Sequence, residues 1–423
     1  MIHTVLALLL LFQAPAKAET AFEQFWTSNT FDDVLADGIT FDEALNRLKQ
    51  GRSYAPQPSG VFMQSNKTSD GVTHYYGVTV PPNYDPSRRY QVRIQLHGGV
   101  NGRTNNQPRG DGSIGSLAGA EQFYVVPFAW DEAPWWSEDQ LLNLTAVLDS
   151  LKRTYNIDEN RVVLSGVSDG GTGTYYVAMR NTTPFASFLP MNGFILVLDG
   201  DELNDGNLPN NLVNKPMFVV NGGRDPLYPT SIVGPGIRHM MATGVDIAWN
   251  PQPDAAHNTA WWPQLKDTYE TFVAKHPRNP DPDKLTWETT GPHSRAHWLV
   301  IDELGSRPGD SLFPFDVNKD PSSLLADFPS TTGVMFRWTR TPGRVDIERS
   351  GNTVEMMTKG VVAFTLLLSP DHFDFSKPVK VVANGKVVFE GMVKRDLKTL
   401  LKWAAQDNDR TMLYAAELKI VLN

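Results

Sequence analysis

The sequence predicts an α/β protein in which a mostly parallel sheet, with helices on both faces, is followed by a small β-rich unit. Three observations support this fold class. Between residues 60 and 277, apolar strand-like runs alternate with helical stretches, the arrangement that builds parallel sheets. One of these runs, Val162–Leu164, breaks into a glycine-rich turn that leads into a helical stretch. After a proline cluster at 277–283, short strand-like runs follow one another and include a strong hairpin signal.

The first 18 residues have the pattern of a secretory signal peptide. An apolar stretch from Val5 to Phe12 precedes a small-x-small cleavage signal at Ala16–Ala18. That stretch is too short to cross a bilayer, and no later stretch is long enough. We therefore expect residues 1–18 to be removed, so that an exported protein, secreted or periplasmic, begins at Glu19.

Residues 19–59 are expected to form an N-terminal helical extension. Apolar residues recur at helical spacing between Thr20 and Gln50, and Thr40 with Glu43 fits a capping box. A proline-containing linker ends the stretch. We expect one or two extra helices that pack on the main domain.

Residues 60–277 are predicted to form the main α/β domain, with an amphipathic helix at Leu141–Tyr155. Ligands of parallel sheets bind beyond the carboxyl ends of the strands. We therefore expect functional residues in the loops that follow the strands. The strands and apolar runs are Thr73–Val80, Gln91–Leu96, Tyr124–Phe128, Arg161–Ser165, Phe194–Leu198, Met217–Val220 and Val245–Trp249.

Residues 278–423 are predicted to form a β-rich C-terminal domain, most simply a sandwich. Asn384-Gly385 is expected to join two of its strands in a tight hairpin, and Val393–Ala405 has a helical pattern. The strand-like runs are Leu285–Glu288, Ala296–Ile301, Arg344–Glu348, Thr353–Met357, Val361–Leu368, Val379–Val382 and Lys386–Glu390.

The composition of the 423 residues excludes several classes of protein. An apolar content of 41% and a charged content of 20% are those of a soluble globular protein. The net charge of -9, with no basic block, argues against a nucleic-acid or anionic-membrane partner. The absence of cysteine excludes disulfides, a cysteine nucleophile and thiolate metal sites. We expect neither a metal nor a cofactor.

The segment Gly166–Gly170 matches G-x-S-x-G directly after a predicted buried strand. In this pattern the serine sits at a sharp strand-to-helix turn, and the glycines let neighbouring backbone pass without a Cβ clash. Ser168 is therefore the candidate nucleophile. The alternative is an ordinary serine in a glycine-rich turn.

A serine nucleophile needs a base to take its proton and an acid to orient that base. Asp225 lies a few residues beyond the run Met217–Val220, and His257 lies in the loop after Val245–Trp249. The chain order is then Ser, Asp, His, which is that of α/β-hydrolases. Asp199, which follows another apolar run, is the alternative acid, although that run comes one strand too early.

Backbone donors for a developing oxyanion are expected at two places. Gly98 and Gly99 follow His97 at the end of a predicted strand, where an HGG turn can present an N–H group. The N–H of Asp169, directly after the nucleophile, can supply the second donor.

Aromatic residues cluster in the same loops. Trp135 and Trp136 follow the run Tyr124–Phe128, and Trp261 comes soon after His257. They are candidates for a hydrophobic substrate wall or a platform for a sugar, with core packing as the alternative.

From about Thr73 to Lys275 the chain resembles the secreted α/β-hydrolase esterases that include polyhydroxybutyrate depolymerases, feruloyl esterases and acetylxylan esterases. The resemblance implies catalytic roles for Ser168, Asp225 and His257, with Gly98, Gly99 and Asp169 at the oxyanion. Asp169 departs from the family pattern, which commonly has glutamine, methionine or alanine there. The C-terminal part falls outside the resemblance. The segments that carry it are Gln95–Gly99, Tyr155–Gly171, Asn221–Pro229 and Ala255–Trp262.

The sequence thus predicts a secreted serine hydrolase that cleaves a carboxylic ester, either a small ester or an esterified polymer. A serine peptidase of the prolyl-oligopeptidase type shares the chain order, but its β domain usually precedes the hydrolase domain. A binding protein that uses the C-terminal β domain is the third hypothesis.

Overall fold

The computed structural model describes residues 14–105, 119–199, 207–306, 314–316, 332–334, 336 and 340–422, with backbone alone for 14–20, 314–316 and 332–334. Most of the predicted signal peptide lies outside these residues, so that prediction stays a prediction. In the part of the chain described, no helix is both long and apolar enough for a bilayer.

The N-terminal extension forms three helices: α1 (Ala14–Ser28), α2 (Asp32–Ala36) and α3 (Phe41–Gln50). The predicted capping box is present at the start of α3, where Thr40 accepts from the Glu43 N–H and Glu43 accepts from the Thr40 N–H. Three helices form where one or two were expected. They contact the main domain, where Arg153 donates to the carbonyl oxygens of Trp26 and Thr27, but their apolar face packs elsewhere. That face shares a core with a helix near the C-terminus.

The main domain is built on a sheet of eight strands in the described residues. Strands β1 and β2 pair antiparallel at one end, β2 pairs antiparallel with β4, and the remaining neighbours are parallel. The order across the sheet is β1-β2-β4-β3-β5-β6-β7-β8. The strands are β1 (Gly60–Lys67), β2 (Thr73–Val80), β3 (Tyr90–Leu96), β4 (Phe123–Pro127), β5 (Ile157–Val167), β6 (Ser187–Met191), β7 (Met217–Gly222) and β8 (Ile247–Gln252).

One predicted strand of this sheet is wrong. The apolar run from Phe194 to Leu198 is not a strand but contains a 3-10 turn, Ile195–Leu198. The strand next to β5 is instead β6, whose sequence SFLPM carries a proline. Proline lacks the N–H that a central strand usually donates, which explains why the sequence pattern favoured the wrong run.

Within the described residues, four α-helices accompany these strands: α4 (Glu138–Thr154), α5 (Asp169–Arg180), α6 (Thr230–Ala242) and α7 (Trp262–Lys275), which follows β8. Apolar residues of the sheet, α4, α5 and α6 share one core, whereas α7 packs with residues of β5, β6 and β7 in a second. The loops after β3, β5, β7 and β8 leave parallel strands, so they meet at one edge of the sheet.

Where the structure describes the C-terminal part, it contains β9 to β19 and one helix, α8 (Leu397–Asp407). A five-stranded sheet, β18-β17-β15-β14-β9, and a four-stranded sheet, β10-β11-β16-β19, contribute apolar side chains to the same core. The strands are β9 (Lys284–Thr289), β10 (Arg295–Ala296), β11 (Leu299–Leu304), β12 (Pro314–Asp316), β13 (Thr332–Val334), β14 (Gly343–Ser350), β15 (Thr353–Lys359), β16 (Val361–Leu368), β17 (Val379–Ala383), β18 (Lys386–Gly391) and β19 (Ala416–Val421).

The predicted hairpin in this part is confirmed. Strands β17 and β18 pair antiparallel around Asn384 and Gly385. Both turn residues have positive φ, 51° and 78°, as a type I′ turn requires.

Candidate active site

Ser168 occupies a sharp turn between β5 and α5, with φ 58° and ψ -120°. The two glycines of the motif allow this turn. A Cβ at Gly166 would lie 2.0 Å from the carbonyl oxygen of Gly170, and a Cβ at Gly170 would lie 2.2 Å from that of Leu96. A positive φ at a residue other than glycine costs about 1–3 kcal/mol and persists only when the surroundings enforce it. The surrounding packing thus holds the hydroxyl at the edge of the sheet.

The three predicted triad residues lie together in one hydrogen-bonded chain. The distance from Ser168 Oγ to His257 Nε2 is 2.8 Å, and that from His257 Nδ1 to Asp225 Oδ2 is 2.7 Å. When Nδ1–H donates to the carboxylate, Nε2 is left as the acceptor for the serine proton. The geometry is that of a nucleophile, a base and an orienting acid.

Asp225 is buried, with its side chain fully removed from solvent. Its Oδ1 accepts from the backbone N–H groups of Leu227 and Tyr228, at 2.8 and 3.0 Å. Burial alone raises the pKa of Asp225, but the hydrogen bonds from His257 and from these N–H groups outweigh it and hold the pKa below its ordinary value. Near neutral pH the Asp225 carboxylate is therefore ionised while it is bonded to the imidazole.

The loops that carry the acid and the base touch through a pair of glycines. A Cβ at Gly222 would lie 2.4 Å from the Ala255 carbonyl oxygen, and one at Gly223 would lie 2.4 Å from that of Pro253. The Arg224 N–H also donates to the Ala255 carbonyl at 2.9 Å. Only glycine fits at these two positions. The close contact fixes the loop that carries Asp225 relative to the loop that carries His257.

Asp199, the alternative acid, is not the partner of the histidine. It follows the 3-10 turn that replaces the predicted strand, whereas His257 Nδ1 is bonded to Asp225. The structure therefore brings only Asp225 of the two candidates to the imidazole.

Of the predicted oxyanion residues, Gly98 contacts Ser168 and Asp169 directly follows it in the chain. A Cβ at Gly98 would lie 2.9 Å from the Cβ of Ser168, so the backbone of the turn touches the nucleophile. Gly99 has φ +62°, which favours glycine. Asp169 is the first residue of α5, and N–H groups in a first helical turn have no partner within the helix. Both predicted kinds of donor thus lie beside Ser168.

His97 is a residue whose structural role the sequence did not predict. Its Nε2 accepts from the Ala129 N–H at 3.1 Å, and its Nδ1 lies 3.0 Å from the Gly98 carbonyl oxygen. The indole N–H of Trp135 donates to the His97 carbonyl at 2.8 Å. The hydrogen bonds of His97 therefore hold the Gly98–Gly99 turn in place.

Tyr228 is a second residue that the sequence analysis missed. Its ring centroid lies 5.8 Å from that of His257. Burial, followed by the nearby charges of Asp169 and Asp225, raises the pKa of Tyr228 to about 12. The phenol stays protonated near neutral pH, so it can pack against the imidazole as a neutral ring.

Two of the three predicted wall tryptophans lie in the interior. Trp135 is fully buried in the main core, and Trp261 is 6% exposed in the core beneath α7. Their placement corrects the interpretation of these two as substrate-facing, because buried indoles fill the space between elements. Trp136 is partly buried against the main core and is the one of the three with an accessible surface.

Among the described residues, no group of three or more His, Cys, Asp or Glu side chains could hold a metal ion. The mostly parallel sheet, the serine at the strand-to-helix turn and the order Ser, Asp, His define the class: the chain has the α/β-hydrolase fold.

Comparisons with known proteins give partial similarity. No protein-family model matches the chain. A bifunctional acetylxylan esterase/xylanase of Neocallimastix patriciarum is 29% identical over 139 residues, which cover 30% of this chain and 19% of that relative. The chain therefore spans less than a fifth of the relative's length.

Two solved structures illustrate the structural neighbours. A ferulic acid esterase is 17% identical, with a TM-score of 0.41, and the match covers 51% of this chain and 98% of that one. A dipeptidyl peptidase 4 of Porphyromonas gingivalis is 15% identical, with a TM-score of 0.42, and the match covers 52% of this chain and 36% of that one.

Proposed function

We propose that this protein is a serine hydrolase that cleaves carboxylic esters through an acyl-enzyme. The observation that carries the proposal is the hydrogen-bonded chain from Asp225 through His257 to Ser168, at 2.7 and 2.8 Å. Ser168 stands at a strained turn in contact with Gly98, one of the proposed oxyanion residues. A serine that merely filled a glycine-rich turn would not need a buried carboxylate and an imidazole aligned on it.

The geometry supports a two-step mechanism. Ser168 Oγ attacks the ester carbonyl while His257 Nε2 takes its proton, and Asp225 stabilises the imidazolium that forms. The carbonyl oxygen becomes an oxyanion, which the N–H groups of the Gly98–Gly99 turn and of Asp169 stabilise. The C–O bond to the alcohol then breaks, and His257 returns the proton to the leaving alcohol. Water, activated by the same imidazole, hydrolyses the acyl-enzyme and regenerates Ser168.

The substrate class we propose is a small ester or an esterified polymer. The acetylxylan esterase activity in the name of the relative is consistent with this choice. A peptidase is less well supported, because the β-rich part follows the hydrolase domain, whereas prolyl-oligopeptidase-like enzymes usually carry theirs ahead of it. A binding protein needs no aligned triad. We further propose that the protein is exported, as a secreted or periplasmic enzyme, and that its two C-terminal sheets form a sandwich around their shared core.

Steady-state hydrolysis of short p-nitrophenyl esters tests the proposal. Ser168→Ala removes the hydroxyl that attacks the ester carbonyl, so hydrolysis should fall to background. The thermal unfolding midpoint should stay close to that of the wild type. Parallel assays with p-nitroanilide peptides separate an esterase from a peptidase. Equal ester hydrolysis by wild type and Ser168→Ala would reject the assignment.

A further inference from the structure

The side chain of Asp169 reaches across the active site to the turn that follows β3. Its Oδ2 accepts from the Val100 N–H at 2.8 Å, although the two residues are 69 positions apart in the chain. Asp169 is at the same time the residue directly after the nucleophile. One residue thus joins the serine turn to the Gly98–Gly99 turn.

The carbonyl oxygens of Gly98 and Gly99 are held by hydrogen bonds as well. The Gly98 carbonyl oxygen lies 3.1 Å from Arg103 Nη2 and 3.0 Å from His97 Nδ1. Arg103 Nε also donates to the Gly99 carbonyl. Because a peptide unit is planar and trans, fixing the Gly98 carbonyl aims the Gly99 N–H in the opposite direction. The Asp169 bond fixes the following peptide in the same way through its N–H.

We propose that Asp169 is a positioning residue: its carboxylate holds the oxyanion turn in register with Ser168 by binding the Val100 N–H. The inference rests on the proposed esterase function. A hydrogen bond from N–H to a carboxylate is stronger than one between neutral groups, and a carboxylate is favourable in the first turn of a helix such as α5. A negative charge close to a developing oxyanion would oppose it, which offsets what the charge adds to the Val100 hydrogen bond and to the helix start, so the net benefit of Asp169 lies in its acceptor oxygen.

The test compares Asp169→Ala, which removes the acceptor, with Asp169→Asn, which keeps an acceptor oxygen and removes the charge. For Asp169→Ala we expect kcat on p-nitrophenyl acetate to fall about 10- to 100-fold while KM stays within about threefold, since donors that move by a fraction of an ångström act mainly on the transition state. Asp169→Asn should retain most of kcat. The inhibition constant of an alkyl boronic acid, which forms a tetrahedral adduct on serine, should rise in Asp169→Ala by a factor close to the loss in kcat/KM.

Asp131→Ala is the matched control, because Asp131, which follows β4, anchors the same loop at Gly102. Both carboxylate oxygens of Asp131 accept from the Gly102 N–H at 2.9 Å, so this variant also removes a carboxylate anchor, but one further from the Gly98–Gly99 turn. Its kcat should fall much less than that of Asp169→Ala. Near-ultraviolet circular dichroism checks folding. If Asp169→Ala does not fold, Asp169→Ser replaces it, because serine is well tolerated at a helix start but is too short to reach Val100.

The outcomes separate this inference from the proposed function. Activity that depends on Ser168, together with an unchanged kcat in folded Asp169→Ala, overturns the positioning role alone. An equal loss in Asp169→Asn and Asp169→Ala also overturns it, because the charge would then matter and not the acceptor. No hydrolysis by the wild type overturns both.

Discussion

At the residue scale, the proposed function rests on a few side chains whose surroundings favour one chemical role for each. The Asp225 carboxylate is buried and accepts three hydrogen bonds, from His257 and from two N–H groups. His257 can therefore present only Nε2 to the serine. The residue types and their order were predictable from the sequence. The Val100–Asp169 bond was not, because it joins positions whose proximity only the folded sheet creates.

The buried tryptophans show the same limit at single positions. Trp135 and Trp136 are adjacent in the sequence, yet one is fully buried and the other keeps an accessible surface. An aromatic residue near a site fits either role, and the neighbouring packing decides. Gly173 makes room for Trp135 in the core, because a Cβ at position 173 would lie 2.3 Å from the Cβ of Trp135.

Asp281 should make stability depend on pH. Burial raises its pKa to about 7, although Arg349 and Arg278 lower it. In the unfolded chain the pKa is about 3.9, so the folded state binds the extra proton between these values. This stabilisation is fully present below about pH 4 and is lost as the pH rises through the folded pKa.

Asp281→Asn removes this titration. The free energy of unfolding of the variant, relative to the wild type, should therefore rise by about 2 kcal/mol between about pH 5 and about pH 8. Urea denaturation at a series of pH values measures the difference. Parallel curves for the two proteins would show that this carboxyl does not titrate as its burial implies.

At the element scale, the site depends on backbone contacts between strands and a helix start that are so close that only glycine fits. The G-x-S-x-G turn, the strand β5 before it and the helix α5 after it were all predictable from pattern. Strand β6 was not predictable from its pattern, because its proline is unusual in a central strand. A neighbouring apolar run also matched the pattern of a strand better. The register of the strands and the close contacts between backbone segments are set by tertiary packing. The periodicity of apolar residues carries no information about either.

Gly170→Ala should test this close approach. Its Cβ would lie 2.2 Å from the Leu96 carbonyl oxygen and 2.8 Å from that of His97, both of which are backbone. We expect a loss of at least about 3 kcal/mol in unfolding free energy, or no folded protein, because these atoms cannot yield without moving β3.

Gly77→Ala is the control on the same sheet. Its Cβ would meet only the Met63 sulfur, at 3.8 Å, which is an ordinary contact. Thermal and urea unfolding of this variant should stay within about 1 kcal/mol of the wild type. Comparable stability of the two variants would contradict the packing described for the serine turn.

At the scale of the whole molecule, buried ion pairs fasten the C-terminal part to the hydrolase domain. Arg410 contacts Glu159 of β5 at 2.6 and 3.0 Å, and both side chains are at least nine-tenths buried. Asp409 lies 3.7 Å from the Lys152 ammonium of α4 and also bonds to Arg278, near the predicted domain boundary, at 2.8 Å. The β-rich character and the hairpin were predictable, whereas the pairing of these charges depends on surfaces that only the fold brings together.

Glu159→Gln should destabilise the protein. Removing one charge of a buried pair leaves the guanidinium of Arg410 uncompensated, which typically costs about 3–5 kcal/mol. Glu348→Gln is the matched exposed control, since Glu348 pairs with Lys284 at 3.2 Å with both side chains more than half exposed. That variant should change stability by less than about 0.5 kcal/mol. Equal unfolding free energies for the two variants, measured in urea, would contradict the role of the buried pair.

The central claim is that Ser168 is a nucleophile activated by His257. The most direct measurement is covalent labelling of the intact protein by a fluorophosphonate, with the modified residue mapped by peptide mass spectrometry. The account predicts one adduct, on Ser168, that forms in the wild type and is absent from Ser168→Ala. An adduct on another residue, or equal labelling of the two proteins, would contradict it.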